Sequence, residues 1–331
     1  MLANKFARLH SIANKFATLL FVLVMLGLTM AEVAQAQPPP AATPPAATWV
    51  FPPGVTDLTI PTRFSTTGEI AIRMTVNGRG LDLTLDTGMD RNMLDSSVFN
   101  AIALQQAGDS SATITTVQFG GATMRGLPVN KGSFFRRDED GNLIVGVLGY
   151  DFLKAAVVKI DYDHQQVHII DPTAFHAPQP AMQYSLYPED RIPLVSATVG
   201  AATGGSFVID TGATAFAVFP RLVLGNPHAF TSYQELSHDT QASYYRFFWP
   251  LCGHIEMTPY SVGQVRVENV GVKNWVVWSV PQSSCFATKR LDGLIGYDFL
   301  RLFNVYIDYP GNLVILEPNE VYKSAPNAIK L

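Results

Sequence analysis

A chain of 331 residues with 47% hydrophobic and 11% aromatic content has material for two ordinary domain cores, which excludes the disordered class. Its formal charge of -4 comes from only 23 basic and 27 acidic residues, with no basic run of the kind a phosphate backbone needs, so nucleic acid is excluded as an expected partner.

In chain order, Lys5, Arg8 and Lys15 precede an apolar run from Thr18 to Met30, and Ala34-Gln35-Ala36 follows it. That order predicts a secretory signal peptide over residues 1–36, cleaved after Ala36, and an exported protein, periplasmic or secreted, with no stable membrane span after cleavage. An uncleaved anchor is the rival reading, but the apolar core is roughly 13 residues against about 20 needed to cross a bilayer. Residues 37–48 read as a Pro/Ala-rich linker.

Glu69–Val76, the turn Asn77-Gly78-Arg79-Gly80 and Leu81–Asp86 predict a β-hairpin with Leu81, Leu83 and Leu85 on one face. A short helix is expected near Ser96–Leu104. Val157–Tyr162 and Val167–Ile170, joined by a turn at Asp163-His164-Gln165, predict another hairpin. His164 and His168 on that hairpin stand some ~13 Å apart by strand rise, too far to share one zinc. There is no GxSxG, HExxH or phosphate-cradling glycine loop, so neither a metal nor a cofactor is expected.

The chain then repeats itself. Gly146–Asp171 matches Gly293–Pro318 without a gap, including Gly-Tyr-Asp-Phe-Leu in both, and Leu83–Gly88 matches Phe207–Gly212. A short helix is expected after each Gly-Tyr-Asp-Phe-Leu. Two related lobes follow, at 49–171 and 191–320, with an interlobe connection at 172–190 and a tail at 321–331. The second lobe is longer between its motifs, and its aromatic-rich Ser232–Cys252 stretch either covers a cleft or packs into a core. Cys252 and Cys285 are expected to form a disulfide in an exported chain; two buried reduced thiols are the alternative.

One Asp-Thr-Gly means little, because its Asp can simply cap a turn. Two copies, each closing an apolar strand and each followed by an apolar-apolar-Gly turn (Val147–Gly149 and Leu294–Gly296), mean far more. The combination resembles the aspartic proteases, and the Gly-Tyr-Asp-Phe-Leu and Ile-Asp-Tyr segments are similar to those of bacterial retropepsin-like members. The resemblance spans about Glu69 to Leu316. It implies an all-β, mainly antiparallel fold of two pseudo-symmetric pepsin-like or retropepsin-like β-barrel lobes with short helices and a six-stranded interface.

It also implies that Asp86 and Asp210 face each other as a catalytic pair. Thr87, Gly88, Thr211 and Gly212 would support the dyad, the threonines by interlocking across the lobes. Gly149 and Gly296 would belong to strands crossing behind it. Two carboxylates so close share one proton, and one acts as base while the other acts as acid toward a water. The expected function is an exported aspartic endopeptidase acting as a monomer on peptide or protein substrates. A non-catalytic peptide-binding or inhibitor-like module on the same fold is the alternative, and a dimer pairing lobes between chains is a third reading. Met89 and Ala213 stand where pepsin-like enzymes carry Ser or Thr, and lobe one offers only a short covering segment without Tyr at Gln105–Thr116. A dyad lacking both hydroxyl donors is expected to hold its proton to higher pH.

Overall fold

Both hairpins expected from the sequence form, the first as part of a closed barrel and the second as part of an open sheet. The computed structural model describes residues 46–102, 105–106, 109–179, 182–183, 185–186, 191–231, 233–235, 246–249 and 253–329. The signal segment at 1–36, most of the linker and Cys252 lie outside the described residues.

Ile70–Val76 and Arg79–Leu85 pair antiparallel from Ala71↔Thr84 to Val76↔Arg79. Asn77 and Gly78 both take positive φ, 51° and 76°, which matches the right-handed twist of the two strands. Leu81, Leu83 and Leu85 are buried on one face. The hairpin joins Gly146–Leu148, Met93–Asp95, Ala122–Gly132 and Ser111–Phe119, and the ring closes where Thr75 meets Gln118. The second barrel repeats this order with Pro193–Val199, Ala202–Ile209, Gly293–Ile295, Ala217–Val218, Val270–Ser279 and Thr258–Val267, closing at Ala197↔Val267. The chain is therefore an all-β protein of two six-stranded barrels. Pairing is mainly antiparallel, with parallel neighbours at the short crossing strands: Leu148↔Leu85 and Met93↔Asn130 in one barrel, Ile295↔Ile209 and Ala217↔Trp278 in the other.

Helices are short, and their placement corrects one expectation. The Tyr-Asp-Phe-Leu residues are themselves the helical turns, at Tyr150–Leu153 and Tyr297–Leu300, with Gly149 and Gly296 as N-caps, rather than the residues after them. The physical reason is anchoring: Phe152, Leu153, Phe299 and Leu300 are buried, so the turn that carries them must form against the barrel, and the chain is extended again by Val157 and Phe303. The helix at Ser96–Ala101 forms, N-capped by Asp95, whose carboxylate accepts from Ser97 N–H at 2.9 Å. Helices at Pro220–Gly225, Pro227–Thr231 and Glu320–Ser324 carry no strong sequence signal. The last lies at the lobe's end and in the stretch read as a tail, yet its Tyr322 is buried and donates to the Ile329 carbonyl at 2.7 Å. The stretch read as the interlobe connection contributes strands Met182–Gln183 and Ser185–Leu186.

A third sheet of six strands joins the barrels, in the order Met182–Gln183, Leu313–Pro318, Phe303–Asp308, Val157–Asp161, Gln166–Ile170, Asp57–Ile60. At its centre Val157–Asp161 lies antiparallel to Phe303–Asp308. The register runs Val158↔Ile307, Lys159↔Tyr306 and Ile160↔Val305, so each residue faces the repeat of its mirror position and a pseudo-two-fold axis passes between Lys159 and Tyr306. Asp161 and Asp308 of the two Ile-Asp-Tyr segments cap the turns that follow, accepting from His164 N–H at 3.0 Å and Gly311 N–H at 2.7 Å. The tyrosines of the repeats cross over: Tyr150 packs on Tyr309 at 5.1 Å between centroids, and Tyr162 on Tyr297 at 5.9 Å. The described residues fall in one compact unit. Among the described residues no helix is long and apolar enough to cross a membrane.

Candidate active site

Asp86 and Asp210 each sit just past the end of an apolar strand, where the chain must turn. The Asp86 N–H donates to the Leu148 carbonyl at 3.0 Å and the Asp210 N–H to the Ile295 carbonyl at 3.1 Å, so each turn hangs from the strand crossing behind it. Gly149 and Gly296 end those strands. A Cβ on Gly149 would lie 2.6 Å from the carbonyl oxygens of Met89 and Arg91, and one on Gly296 would lie 2.5 Å from that of Ala215; only glycine permits the crossing.

Within each turn a glycine amide reaches back to the carboxylate. Gly88 N–H donates to Asp86 Oδ1 at 2.8 Å and Gly212 N–H to Asp210 Oδ1 at 2.9 Å. These glycines also admit the opposite lobe: a Cβ on Gly212 would lie 2.5 Å from the Asp86 carboxyl carbon, and one on Gly88 would lie 3.0 Å from that of Asp210. Thr87 and Thr211 are buried between the turns and bond reciprocally. Thr87 N–H donates to Thr211 Oγ1 at 3.1 Å and Thr211 N–H to Thr87 Oγ1 at 3.0 Å, while each hydroxyl donates across the interface, Thr211 to the Leu85 carbonyl at 2.9 Å and Thr87 to that of Ile209.

The two carboxyl groups lie close enough for each to act on the other's titration. Asp210 is 2% exposed and Asp86 is partly buried. Burial pushes Asp86 up to about 6, opposed by the Gly88 amide. Burial, and after it the charge of Asp86, pushes Asp210 well above the ordinary carboxylate value. The pair is thus built to carry a proton above the pH at which free aspartates lose theirs. Met89 and Ala213, next in each turn, bring no hydroxyl to either carboxylate.

Beyond the dyad the two lobes differ in chemistry. In lobe one, Thr84 lies two residues before Asp86 and its hydroxyl donates to Glu69. Arg136 makes a forked ion pair with Glu69, with Nη1 on Oε2 at 3.0 Å and Nη2 on Oε1, and Nη2 also donates to Thr84 Oγ1 at 3.0 Å. The field of both charges reaches Asp86. Asp95 pins the segment that carries Arg136 by accepting from the Phe134 and Phe135 amides at 3.1 Å, and the Ser97 hydroxyl, then the Ser97, Phe134 and Phe135 amides, hold its carboxyl below the usual range. Glu69, Thr84 and Arg136 escaped the sequence reading because Glu69 and Arg136 are far apart in the chain and belong to no motif; the one local sign was the charge-dense Arg136–Asp140 run. In lobe two, Val208 occupies the place of Thr84 and belongs to an apolar cluster with Ala213 and Leu294.

The remaining candidates lie apart from this centre. Cys285 opens a 3₁₀ turn, Cys285–Thr288, and its expected partner Cys252 is outside the described residues. Of the Ser232–Cys252 stretch, the strand Arg246–Trp249 pairs with Gly253–Glu256. The expected covering segment of lobe one contributes a two-residue strand, Gln105–Gln106, paired with Ala112 and Thr113. His164 and His168 each contact a different aspartate, Asp161 and Asp57. Among the described residues no group of three metal-ligating side chains gathers.

No family model and no curated protein sequence matches the chain. Among solved structures, it is similar to an aspartic proteinase from Irpex lacteus, at 12% identity over 82% of this chain and 100% of that one, with a TM-score of 0.47.

Proposed function

We propose that the protein is an exported aspartic endopeptidase in which Asp86 and Asp210 activate a water between them. The observation that carries this reading is the placing of each carboxyl group against the glycine of the opposite turn, in two turns locked to each other by Thr87 and Thr211. One proton shared by the pair leaves one ionised oxygen and one O–H donor. The ionised carboxylate takes a proton from the water as its oxygen attacks the scissile carbonyl carbon, and the protonated partner hydrogen-bonds the carbonyl oxygen as it becomes negative. Collapse of the tetrahedral adduct breaks the C–N bond, and the proton taken from the water passes to the leaving amine. Gly88 and Gly212 amides steady the two inner oxygens throughout.

Incubation of the mature chain with a denatured protein substrate should yield fragments, and a pepstatin-type inhibitor should suppress them. Asp86→Asn and Asp210→Asn should each remove nearly all cleavage, and the double variant should be little worse than either, because neither carboxyl works alone. Full activity in a folded single variant would end the dyad reading. The short covering strand of lobe one and the Met89 position favour the second reading, a peptide-binding module without turnover; fragment formation separates the two.

Export, cleavage after Ala36, a monomeric state and a Cys252–Cys285 disulfide complete the proposal. The intact mass of the exported protein is expected to begin at Gln37, and alkylation without reductant should leave both cysteines unmodified. A free thiol or a retained leader would refute the corresponding part.

A further inference from the structure

The turns that follow Asp86 and Asp210 are equivalent in the repeat, and they are fastened by different chemistry. In lobe one the sixth residue after the aspartate is the buried Asn92, whose Oδ1 accepts from the Gly149 N–H at 2.8 Å and whose Nδ2 donates to the Pro128 carbonyl at 2.9 Å. A side-chain amide does not titrate, so this fastening is the same at every pH. In lobe two the sixth residue is Phe216, whose ring packs on Phe207 and Phe299 and has no polar atom to fasten with. Asp298, from the second Gly-Tyr-Asp-Phe-Leu, does that work instead. Its Oδ2 accepts from the Phe216 N–H at 2.9 Å, its own N–H donates to the Thr214 carbonyl at 2.8 Å, and the adjoining Tyr297 N–H donates to the Ala213 carbonyl at 2.8 Å. The run so gripped begins at Ala213, whose N–H, with that of Gly212, favours the ionised form of Asp210.

Asp298 has no counter-ion in contact. Its Oδ1 is buried without a hydrogen-bond partner among the described residues. In the first repeat the equivalent Asp151 is bound by the ammonium of Lys154. In the second the equivalent cation, Arg301, is exposed and lies over the Tyr297 ring, 6.0 Å from its centroid, so that only its field reaches the carboxyl. The gripped run, Ala213 to Phe216, has no titratable side chain, and neither Lys273 nor Asp308, on the strands Val270–Ser279 and Phe303–Asp308, acts on Asp298. Burial pushes Asp298 up to about 7, against the Phe216 and Phe299 amides and Arg301. The neutral acid keeps the Phe216 bond through its carbonyl oxygen and leaves one O–H unpaired. The anion would put an uncompensated charge in the same place, which costs more.

We propose that Asp298 is a positioning residue for Asp210: as a neutral acid it latches the turn that follows Asp210, and as an anion it releases it, while Asn92 holds the Asp86 turn at every pH. The effect on rate rests on the peptidase reading above. The contribution of Asp298 to stability is whole below the ordinary carboxylate range and is lost as pH rises through about 7. Loss of activity on the alkaline side then begins in one turn of one lobe.

Asp298→Asn puts an amide of the same shape where the neutral acid stands, and it is the test. At about pH 8, one unit above the titration, this variant should keep about tenfold more of its optimal kcat than the wild type keeps. Asp298→Ala, which leaves the Phe216 N–H unpaired, should lower kcat about tenfold at every pH with KM little changed. A second readout needs no turnover: hydrogen-exchange protection of Ala213 to Phe216, corrected for the intrinsic rate, should fall between about pH 6 and 8 in the wild type and hold in Asp298→Asn. Protection of Met89 to Asn92 should hold in both. A kcat profile that Asp298→Asn leaves unmoved, or protection lost equally in both turns, overturns the inference and leaves the peptidase reading standing. An Asp298→Asn chain that fails to fold where the wild type folds also overturns it, because the anion would then be the form the fold needs. If neither protein cleaves, the peptidase reading falls, and the exchange measurement alone upholds or overturns the latch.

Discussion

At the scale of single residues, the protonation of Asp86 and Asp210 decides what the molecule can do at a given pH. The pair needs one proton: activity rises with pH as the first carboxyl ionises and falls as the second does. Both are raised, Asp86 to about 6 and Asp210 well above the ordinary carboxylate value, so the whole profile should lie at higher pH than free aspartates would set. Replacing Met89 with Ser and Ala213 with Thr adds donors that favour the ionised forms, so the rate profile should move toward acid. A profile left in place or displaced upward would show that burial alone sets the titration. The two aspartates were legible in the sequence because the triplet occurs twice in matching contexts. Glu69 and Arg136 were not, since their meeting depends on how the Arg136–Arg137 strand folds back beside Ile144, and nothing local in either stretch announces it.

At the scale of elements, the two turns are held by what they bond to. Thr87→Val keeps the shape of the side chain but leaves Thr211 N–H and the Ile209 carbonyl unpaired in a buried place. An unpaired buried group costs about 1–3 kcal/mol, so a loss of about 2–6 kcal/mol is expected in urea unfolding for the two, with kcat falling more than KM changes. Thr87→Ser, which keeps the hydroxyl, should recover most of both; equal losses in Val and Ser variants would assign the effect to the methyl group. The crossing strands at Val147–Gly149 and Leu294–Gly296 were expected from the resemblance, since two apolar residues and a glycine read by themselves only as ordinary core strand. The helical turns were misplaced by a few residues for an equally physical reason: Tyr-Asp-Phe-Leu has no helical period of its own, and burial of Phe152 and Phe299 imposes the turn.

At the scale of the whole molecule, the central sheet joins the two lobes, and they are expected to unfold together. Ile160 and Val305 face each other across it and are fully buried. Val305→Asp places an unpaired charge there, at a cost of about 3–5 kcal/mol, and should speed hydrogen exchange in lobe one as much as in lobe two. Protection lost in lobe two alone would mean that the lobes stand independently. The repeat made two lobes legible, and the sequence pattern of the paired hairpins is plain. Their mutual register was not, because it depends on the partner hairpin far along the chain. That register has Lys159 opposite Tyr306, with the ammonium 5.7 Å from the ring centroid and also bound to Asp161 at 3.1 Å. On an axis between two identical subunits each residue would meet its own copy, lysine against lysine or tyrosine against tyrosine. Carrying both halves on one chain lifts that restriction, so the centre of the molecule holds a cation beside an aromatic face, a pairing that no homodimer of either half can make.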